Sequence, residues 1–531
     1  MSQTPTRLRA KTKLRRLPAS LTLLSVQVDR GQGRERLYQQ IRESIRNAIL
    51  SGQIGGRLPP TREMATALGV NRATVSRAYQ ELEADGLVAS SGARGTVVVA
   101  ADPPMSGGSG SHGPGAPSWV STLPPVADTG LRADPTLIRD ITHNSRRPEF
   151  ISFAEAAPGP ELIPAKRIAE AIGDGLARWG PRVLGYAPVE GLEILREALT
   201  QTLAKPLLRE GESVMVVSGA TQGLALAARA LIESGDEVAV EAPTYFGILQ
   251  TFALAGARLI GVPVDRHGMR TDQLEALLSQ RRVRLIIVQS RFQNPTGALM
   301  SPERRAHLLL IARRHGVPVL EDDIYGALDL DGGAPPPLKQ DDHAGSVVYV
   351  SSFSKTISPG LRVGWVVGPQ PVINRMVVAK QFSDLSTSAI GQMVVADLLS
   401  SGDYASHIRW LAGENRTRRA TLLAALSALA GRIDVTFVPG GGSHLWCRLG
   451  PGLDSRSVAV AAIRRKVALT PGEAFYPPTT MRGETGQDRV RLSFTAVPPE
   501  RMEEGIQRLA EAMESLPVAG AGLTGTTGVL V

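Results

Sequence analysis

A segment built almost entirely of glycine, proline and serine divides this sequence into two unequal parts. Residues 103–118 read PPMSGGSGSHGPGAPS, in which only three residues are of another type. Such a composition lacks the apolar side chains that a packed core requires and is typical of flexible linkers. We therefore predict a multidomain protein with a linker over 101–145, an N-terminal domain before it and a larger domain after it.

The excess positive charge lies before this linker. Residues 1–100 hold 16 Lys and Arg against 7 Asp and Glu, whereas the remaining 431 residues hold 43 of each. The net charge of +9 therefore belongs to the first fifth of the chain, as expected of a module that binds a polyanion. Residues 1–30 are predicted to be a disordered basic arm, because their apolar part is too short and interrupted for a signal peptide. Residues 516–531 are predicted to be a flexible tail.

Residues 31–100 predict a small α+β domain. An amphipathic helix over 35–50 precedes the short helix TREMATALG, a turn at Gly69, a second helix that begins near Asn71, and the β-hairpin LVASSGARGTVVV. In a helix-turn-helix, the first turns of the second helix meet base edges and the helix before it meets the DNA backbone. The pattern predicts a DNA-binding site formed by Arg62, Arg72, Thr74, Arg77 and, in the hairpin, Arg94.

A small basic helical domain that binds another protein is the alternative. The charge asymmetry and the hairpin together favour double-stranded DNA. The segment LPPTREMATALGVNRATVSRAYQELEADGLV also resembles the winged helix-turn-helix of GntR-type regulators over its whole length. The resemblance implies that Arg62, Asn71, Arg72 and Thr74 contact DNA. Some members of that family carry arginine where this chain has Ser76, so the resemblance supports Arg72 more directly than Arg77.

Beyond the linker, over 146–515, apolar runs alternate with helical segments. Buried parallel strands joined by crossover helices, an α/β fold, are the arrangement that such alternation predicts. The last part, about 402–515, is mostly helical with a few strands and predicts a smaller C-terminal α+β lobe. The predicted strands are VMVV, EVAVEAP, RLIIVQ, PVLEDD and VVYVSS.

One lysine stands out because the chain prefers arginine. Only 8 of its 59 basic residues are lysines, yet Lys355 closely follows the predicted strand VVYVSS. A lysine amine forms a Schiff base with an aldehyde when burial or nearby cations favour its neutral form, and arginine cannot replace it. The aldehyde cofactor pyridoxal 5'-phosphate further needs anion-binding groups, a carboxylate for its ring nitrogen, donors for its phenolic oxygen and a flat partner for its ring.

The sequence offers a candidate for each need, mostly at strand ends, where open α/β sheets bind ligands. Each also has an ordinary interpretation. SGATQG alone is more typical of a helix cap, QNPTG of a turn, EDD of a capping cluster and a lone lysine of the surface. Their occurrence together favours a cofactor site. The cofactor-binding candidates are Ala220, Thr221, Tyr245, Asn294, Asp322, Tyr325, Ser352, Ser354, Lys355 and Arg362.

Residues 150–515 resemble the fold type I aminotransferases. The segments QNPTG, EDDIYG and SSFSKTISPGLRVGW carry the resemblance. It implies that Lys355 is the catalytic residue that forms the Schiff base and that Asp322 pairs with the ring nitrogen. Asn294 and Tyr325 would bind the phenolic oxygen, and Tyr245 would stack on the ring.

Two further segments imply a partner subunit and a carboxylate site. LGYAPVEGLEILREAL matches the segment whose tyrosine, here Tyr186, reaches the phosphate from the neighbouring subunit, which implies a homodimer. VRLSFTAV matches the segment whose arginine, here Arg491, binds the α-carboxylate of an amino acid. Ala220 departs from family members that have a side-chain donor there, so the resemblance leaves one phosphate contact to the backbone.

The two parts together resemble MocR-type transcriptional regulators of the GntR superfamily. The leading interpretation is a DNA-binding regulator whose aminotransferase-like domain binds pyridoxal 5'-phosphate and recognises an amino compound or the cofactor itself. An active aminotransferase with an accessory DNA-binding domain is the alternative, and a regulator without cofactor is disfavoured by the complete set of candidates. No metal site is predicted. The single Cys447 and the lack of a run of about 18 apolar residues indicate a cytoplasmic protein.

Overall fold

The computed structural model describes residues 37–50, 58–84, 87–90, 95–98, 132–133 and 135–516. The chain divides into two compact units, Met1–Ser109 and Gly110–Val531. The predicted basic arm, most of the predicted linker, Arg94 and the tail after Leu516 lie outside the described residues.

The described part of the first unit contains three helices and a two-stranded hairpin. The amphipathic faces of the helices meet in one apolar core that includes Ile41, Ile45 and Val75, and the hairpin is antiparallel. The predicted helix-turn-helix and wing are therefore confirmed. The elements are α1 (Leu37–Leu50), α2 (Thr61–Leu68), α3 (Arg72–Ala84), β1 (Val88–Ser90) and β2 (Thr96–Val98).

The turn between α2 and α3 depends on Gly69. This residue adopts the left-handed conformation (φ 64°) that ends α2, and the N–H of Val70 donates to the Ala65 carbonyl at 3.0 Å. In addition, the Tyr79 hydroxyl of α3 donates to the Pro59 carbonyl at 2.9 Å, and burial raises the pKa of this phenol. These contacts fix α3 against the start of α2.

The second unit begins inside the range predicted as linker. Arg132 donates to the Pro477 carbonyl at 2.9 Å, and α4 (Pro135–Asn144) follows. Leu137 and Ile141 of α4 are buried in the apolar core of the C-terminal lobe. The predicted linker boundary at 145 is therefore wrong, because apolar side chains on one face of α4 anchor this segment to the body.

One large sheet forms the centre of the second unit, with helices on both faces. The elements up to the small lobe are β3 (Ile151–Ser152), α5 (Ala165–Trp179), α6 (Glu193–Gln201), β4 (Glu212–Val217), α7 (Ala220–Leu231), β5 (Glu237–Ala242), α8 (Phe246–Leu254), β6 (Arg258–Asp265), β7 (Gly268–Met269), α9 (Thr271–Gln280), β8 (Val283–Val288), α10 (Pro302–His315), β9 (Val319–Asp322), α11 (Leu338–Asp341), β10 (Val347–Ser352), β11 (Gly364–Pro369), α12 (Gln370–Gln381) and α13 (Ala389–Ser400).

The small lobe follows without a break in the chain. The elements of this last part are α14 (Asp403–Leu426), β12 (Ile433–Val435), β13 (His444–Leu449), α15 (Ser455–Arg464), β14 (Val467–Ala468), β15 (Thr470–Pro471), β16 (Thr479–Thr480), β17 (Arg489–Ser493) and α16 (Pro499–Glu514). Of these, β16 joins the large sheet. The predicted α+β character is confirmed: the strands β12-β13-β17-β15 form an antiparallel sheet.

The strands of the large sheet lie in the order β16-β6-β5-β8-β9-β10-β11-β4, and β7 pairs with β6. Neighbours from β16 to β10 run parallel, whereas β11 is antiparallel to both β10 and β4. The five predicted strands are confirmed as β4, β5, β8, β9 and β10. Alternate residues of each strand face opposite helical layers: Leu285 and Ile287 of β8 pack with α7 and α8, and Ile286 packs with α9 and α10.

The segment before the large sheet belongs to the small lobe. β3 pairs in parallel with β14, and Phe150, Ile151 and Phe153 are buried in the same core as α14, α15 and α16. The small lobe is therefore built from both ends of the second unit, and 402–515 is its C-terminal part.

No helix in the described ranges is long and apolar enough to span a membrane. These ranges also hold no cluster of three His, Cys, Asp or Glu side chains that could bind a metal ion.

Candidate functional site

A cavity of about 180 Å³ lies at the carboxyl ends of the parallel strands, where the large sheet meets the small lobe. The loops after β5, β8, β9 and β10 contribute Tyr245, Asn294, Tyr325 and Lys355 to its wall. The small lobe contributes Arg491 from β17. The structure thus brings five of the predicted site residues to one cavity.

Asp322 ends β9 in a buried position. Its Oδ2 accepts a hydrogen bond from the Gln289 side chain at 2.9 Å, whereas its buried Oδ1 has no hydrogen-bond donor among the described residues. Burial, together with the neighbouring Asp323 carboxylate, raises the pKa of Asp322 to about 7. A buried carboxylate oxygen without a partner is rare in folded proteins, and it indicates an acceptor held ready for a ligand.

Lys355 ends a short 3₁₀ turn directly after β10. Burial and the positive charge of Arg491 lower the pKa of Lys355 to about 8, while the carboxylates of Glu155 and Asp322 act in the opposite direction. The positive charge of Arg362 also lowers this pKa. The structure therefore provides the amine with the environment that favours its neutral, nucleophilic form.

Asn294 and Arg491 contact each other across the cavity. The Arg491 guanidinium donates to the Asn294 side-chain carbonyl at 3.0 Å and to the Thr470 hydroxyl at 3.2 Å. The Asn294 Nδ2 is buried and has no acceptor among the described residues. Beside them, Tyr325 is buried and burial raises its pKa to about 12, so its hydroxyl remains a donor.

The N-terminus of α7 forms the second part of the site. Gly219 precedes the helix with φ 87°, and a Cβ there would lie 2.8 Å from Arg362 Nη2. This close approach lets Arg362 donate to the Ser218 carbonyl at 2.8 Å, beside the first helical residues Ala220 and Thr221. Free backbone N–H groups at a helix start and a guanidinium together are a common site for a phosphate.

Ser352 and Ser354 lie on the chain just before Lys355. The Ser352 hydroxyl donates to the Ser354 hydroxyl at 2.9 Å and accepts from the Ser354 N–H at 3.1 Å. Both hydroxyls therefore shape the turn that presents Lys355. Tyr186 differs from the other candidates: 86% of its surface is exposed, and it does not line the cavity of its own chain.

Several residues of the site did not follow from the sequence. Glu155, after β3, and Arg146, just after α4, line the cavity with Lys355. His444 of β13 stacks edge-on against Tyr325 with ring centroids 5.4 Å apart, and burial holds its pKa well below the usual range. Gln289, the partner of Asp322, is the last residue of the run RLIIVQ. Its position at the end of a predicted buried strand could have indicated that it belongs to the site.

On the first unit, α2 and α3 present several predicted DNA-binding residues. Arg62 and Arg72 are exposed, and the Arg72 Nε donates to the Thr61 hydroxyl at 3.4 Å. The Asn71 side chain accepts from the Ala73 N–H at 2.9 Å and so caps α3. Thr74 is half-buried on the first turn of α3.

Arg77 makes contacts within its own domain. Its guanidinium lies 4.2 Å from the centroid of the Tyr38 ring, and its Nε lies 3.7 Å from a carboxylate oxygen of Glu81. The first contact links α3 to α1, and the second joins two residues of α3 one turn apart. The contacts give Arg77 a structural role that its place in the sequence did not indicate.

Comparison with known proteins matches both units. Residues 36–98 match the gntR family of bacterial regulatory proteins, and residues 152–509 match the aminotransferase class I and II family. The HTH-type transcriptional regulator YisV of Bacillus subtilis is 32% identical over 90% of this chain and 96% of its own length. The probable rhizopine catabolism regulatory protein MocR of Rhizobium meliloti is 30% identical over 91% of this chain and 95% of its own length. The chain belongs to the MocR-type regulators.

The body of this MocR-type regulator is similar to solved aminotransferases. The multiple substrate aminotransferase of Thermococcus profundus is 32% identical, with a TM-score of 0.68 over 75% of this chain and 98% of that one. LysN of Thermus thermophilus, an α-aminoadipate aminotransferase complexed with N-(5'-phosphopyridoxyl)-L-leucine, is 31% identical, with a TM-score of 0.67 over the same shares. The regulator is therefore a GntR-type helix-turn-helix fused to a fold type I aminotransferase domain.

Proposed function

We propose that this MocR-type regulator binds pyridoxal 5'-phosphate at Lys355 and recognises an amino compound in the same cavity. Binding of that compound would change how the regulator engages double-stranded DNA through Arg62, Asn71, Arg72 and Thr74. Because its target is DNA, we place the regulator in the cytoplasm. The family to which the chain belongs, with its two matched domains, supports the proposal.

The observation that carries the cofactor proposal is a pair of buried polar atoms without partners. Asp322 Oδ1 is a free acceptor and Asn294 Nδ2 is a free donor, within the part of the chain that the structure describes. A buried polar atom without a hydrogen bond destabilises the folded protein by about 1–3 kcal/mol. Two such atoms of opposite type fit a ring that carries a protonated nitrogen and a phenolic oxygen.

The remaining groups fit the cofactor in the same way. The N-terminus of α7 and Arg362 would hold the phosphate, and Ser352 and Ser354 would place hydroxyls beside it. Tyr325 would donate to the phenolic oxygen together with Asn294. When bound, pyridoxal 5'-phosphate supplies an aldehyde that condenses with primary amines and a ring that withdraws electrons from them.

The protonation state of Lys355 suits this role. With a pKa of about 8, its amine is neutral roughly one time in ten at pH 7, compared with about one in three thousand for an ordinary lysine. Arg491, whose Nε has no partner among the described residues, would bind the carboxylate of an amino acid and so orient it toward Lys355. Its contact with Asn294 would then connect the carboxylate site with the donor for the phenolic oxygen.

Transamination is the second candidate function. The same depressed pKa that favours attachment of the cofactor also makes Lys355 a competent proton carrier once its amine is free. Asp322 and Arg491 are equally required for that reaction. The charged N-terminal domain has no role in it, which is why regulation is the leading proposal.

We also propose a homodimer. Tyr186 is 86% exposed, Leu184 66% and Phe382 84%. Apolar side chains exposed to this degree are typical of a surface that another subunit covers. Sedimentation of the purified protein should give twice the mass of the chain, and a monomer with bound cofactor would contradict both the dimer and the proposed role of Tyr186.

A spectral titration tests the whole proposal. Cofactor-loaded protein would be titrated with amino compounds, and the titration would be repeated with promoter DNA present. We expect an amine that changes the visible absorption also to change the affinity for DNA. Steady turnover with a 2-oxo acid at about 1–10³ s⁻¹, ordinary for enzymes, would favour transamination instead. If no amine changes either quantity, the proposed sensing role is wrong.

A further inference from the structure

Glu155 lies on a segment that the small lobe holds firmly. Two residues before it, the N–H of Phe153 donates to the Ala468 carbonyl at 2.8 Å. Two residues after it, the Ala157 carbonyl accepts from the Thr495 hydroxyl at 3.0 Å. The position of the Glu155 backbone is therefore fixed on both sides, and its side chain is presented from a rigid support.

The Glu155 carboxylate belongs to the cavity that contains Lys355 and Arg491. Its side chain is exposed to that space, and it forms no hydrogen bond or ion pair with any residue that the structure describes. Glu161, the next carboxylate on the same segment, is instead paired with Arg418. Glu155 is thus an anionic group that faces the ligand space with its binding capacity unused.

The electrostatics of the cavity agree with this placement. Besides burial, the two largest influences on the pKa of Lys355 are the positive charge of Arg491, which lowers it, and the negative charge of Glu155, which raises it. Both charges are therefore close enough to the amine to act on a ligand attached there. Arg491 and Glu155 thus place a positive and a negative charge in the space that a bound amine would occupy.

Apolar side chains cover another part of the cavity wall. Ile138 and Ile141 come from α4, Phe246 from the start of α8 and Ile324 from the loop after β9. Ile138 and Phe246 belong to one apolar cluster. Such a wall suits the methylene groups of a ligand and offers them no hydrogen-bond partner.

We propose that Glu155 binds a second cationic group of the effector. The effector is then a primary amine with an aliphatic stem and a further ammonium or guanidinium group, that is, a basic amino acid or a diamine. This inference rests on the proposed function, because the first amine is the one recognised at Lys355. An effector without the second cation would cover the Glu155 carboxylate and leave it unpaired, which is unfavourable.

An acidic effector that binds Arg146 is the competing possibility, because Arg146 also lines the cavity. Two considerations favour Glu155. A ligand carboxylate already has a partner in Arg491, and the segment around Glu155 is held on both sides by hydrogen bonds to the small lobe, whereas the Arg146 N–H donates locally to the His143 carbonyl of α4 at 3.4 Å.

Two pairs of probes test the inference on the full-length, cofactor-loaded protein. L-lysine is compared with L-norleucine, and 1,5-diaminopentane with n-pentylamine, so that each pair differs in one ammonium group. The readout is the dissociation constant from the change in visible absorption. A charge-assisted pair in a partly dry site gives about tenfold or more, so we expect each diamino probe to bind at least about tenfold more tightly than its partner.

Variants assign the effect to one side chain. Glu155→Gln should abolish the preference while the absorption of the bound cofactor is retained, and Glu155→Asp should keep part of it. The matched control is Glu503→Gln, which removes an exposed carboxylate on α16 outside the cavity and should leave the preference unchanged.

Three results would overturn the inference. Equal binding within each pair in the wild type is the first, and a preference that survives in Glu155→Gln is the second. The third is tighter binding of L-glutamate than of L-lysine, lost in Arg146→Gln, which would establish the acidic effector. If cofactor-loaded protein responds to none of the amines, the proposed sensing function itself fails, and this inference fails with it.

Discussion

Arg491 of the small lobe donates a hydrogen bond to the side-chain carbonyl of Asn294, which follows β8 of the large sheet, at 3.0 Å. Since this bond occupies the oxygen of the amide, the nitrogen of Asn294 is left as the donor that faces the cavity. The residue proposed to bind a ligand carboxylate therefore orients the residue proposed to bind the cofactor. A ligand that engages Arg491 acts on both lobes through this one contact.

Replacing Lys355 by alanine should abolish the visible absorption of bound cofactor. The amine is the group that attaches the aldehyde, and no other described lysine lines the cavity. Absorption spectra of protein incubated with pyridoxal 5'-phosphate and then desalted provide the measurement. Lys166→Ala, which alters an exposed lysine on α5, should keep the wild-type spectrum. A wild-type protein that shows no band at saturating cofactor would contradict the cofactor proposal.

Gly219→Ala should weaken cofactor binding more than its effect on folding explains. A Cβ at this position would meet the Arg362 guanidinium at 2.8 Å, where the phosphate is proposed to bind. The matched control is Gly402→Ala: Gly402 has a similar φ of 82° but no atom within 4 Å of its Cβ position. Both variants carry the strain of a positive φ, and it is larger at Gly219, whose ψ of 165° lies outside the left-handed helical region that Gly402 occupies.

Thermal unfolding and cofactor titration separate the two effects for these glycine variants. We expect the larger loss of stability in Gly219→Ala and a loss of cofactor affinity confined to that variant. Equal affinities in the two variants would mean that the N-terminus of α7 is not the phosphate site.

Asp322 and Glu241 should each lower the stability of the cofactor-free protein as pH rises from about 4 to 8. In the folded state the pKa of Asp322 is raised to about 7 and that of Glu241 to about 8, chiefly by burial. Between the unfolded and folded pKa values, the folded protein retains protons that the unfolded chain has lost, so deprotonation at higher pH favours unfolding. For Asp322 the full effect is up to about 4 kcal/mol.

Urea unfolding at pH 4.5, 6 and 8 measures this dependence. Asp322→Asn and Glu241→Gln should each flatten the decline of the free energy of unfolding with pH, whereas Glu503→Gln on the surface should not. Parallel curves for wild type and both variants would show that neither carboxyl has a raised pKa.

Arg72→Ala should weaken operator binding while the cofactor spectrum remains unchanged. Arg72 is exposed on the first turn of α3. Loss of a base contact by arginine weakens the free energy of binding by about 1–3 kcal/mol, which raises the dissociation constant roughly five- to 150-fold. Fluorescence anisotropy with promoter DNA at fixed salt is the measurement. Unchanged affinity would mean that α3 is not the recognition helix.

Arg77→Ala should instead lower the stability of the first unit. The guanidinium packs on the Tyr38 ring at 4.2 Å, and such a contact contributes about 0.5–1 kcal/mol at an exposed site. Arg77→Lys should recover part of this stability. If Arg77→Ala weakens DNA binding as strongly as Arg72→Ala without any effect on unfolding, the predicted DNA contact at Arg77 outweighs its packing.

Much of the architecture could be predicted because its signals are local. Helical periodicity and the turn at Gly69 indicated the helix-turn-helix, and apolar runs ending in polar residues indicated β5, β8, β9 and β10. Asp322 ends such a run, and Lys355 and Asn294 lie in the segments that follow two others. Strand ends meet at one edge of a parallel sheet, so these side chains converge for a topological reason.

The parts that could not be predicted depend on contacts between distant segments. The pairing of β3 with β14 joins residues about 316 positions apart, and nothing in either short segment indicates it. Glu155 enters the cavity because of that pairing. The contact of Arg77 with Tyr38 could not be predicted for the same reason, since Tyr38 lies on a different helix.

The packing of α4 determines where this chain can be cut. Leu137 and Ile141 are buried in the core of the small lobe, so a fragment that starts at residue 146 would expose that core and lose part of the cavity wall. A fragment that starts before Arg132 would keep both. A fusion of the aminotransferase-like domain to another DNA-binding domain must therefore include α4, and the fusion point must lie before this helix.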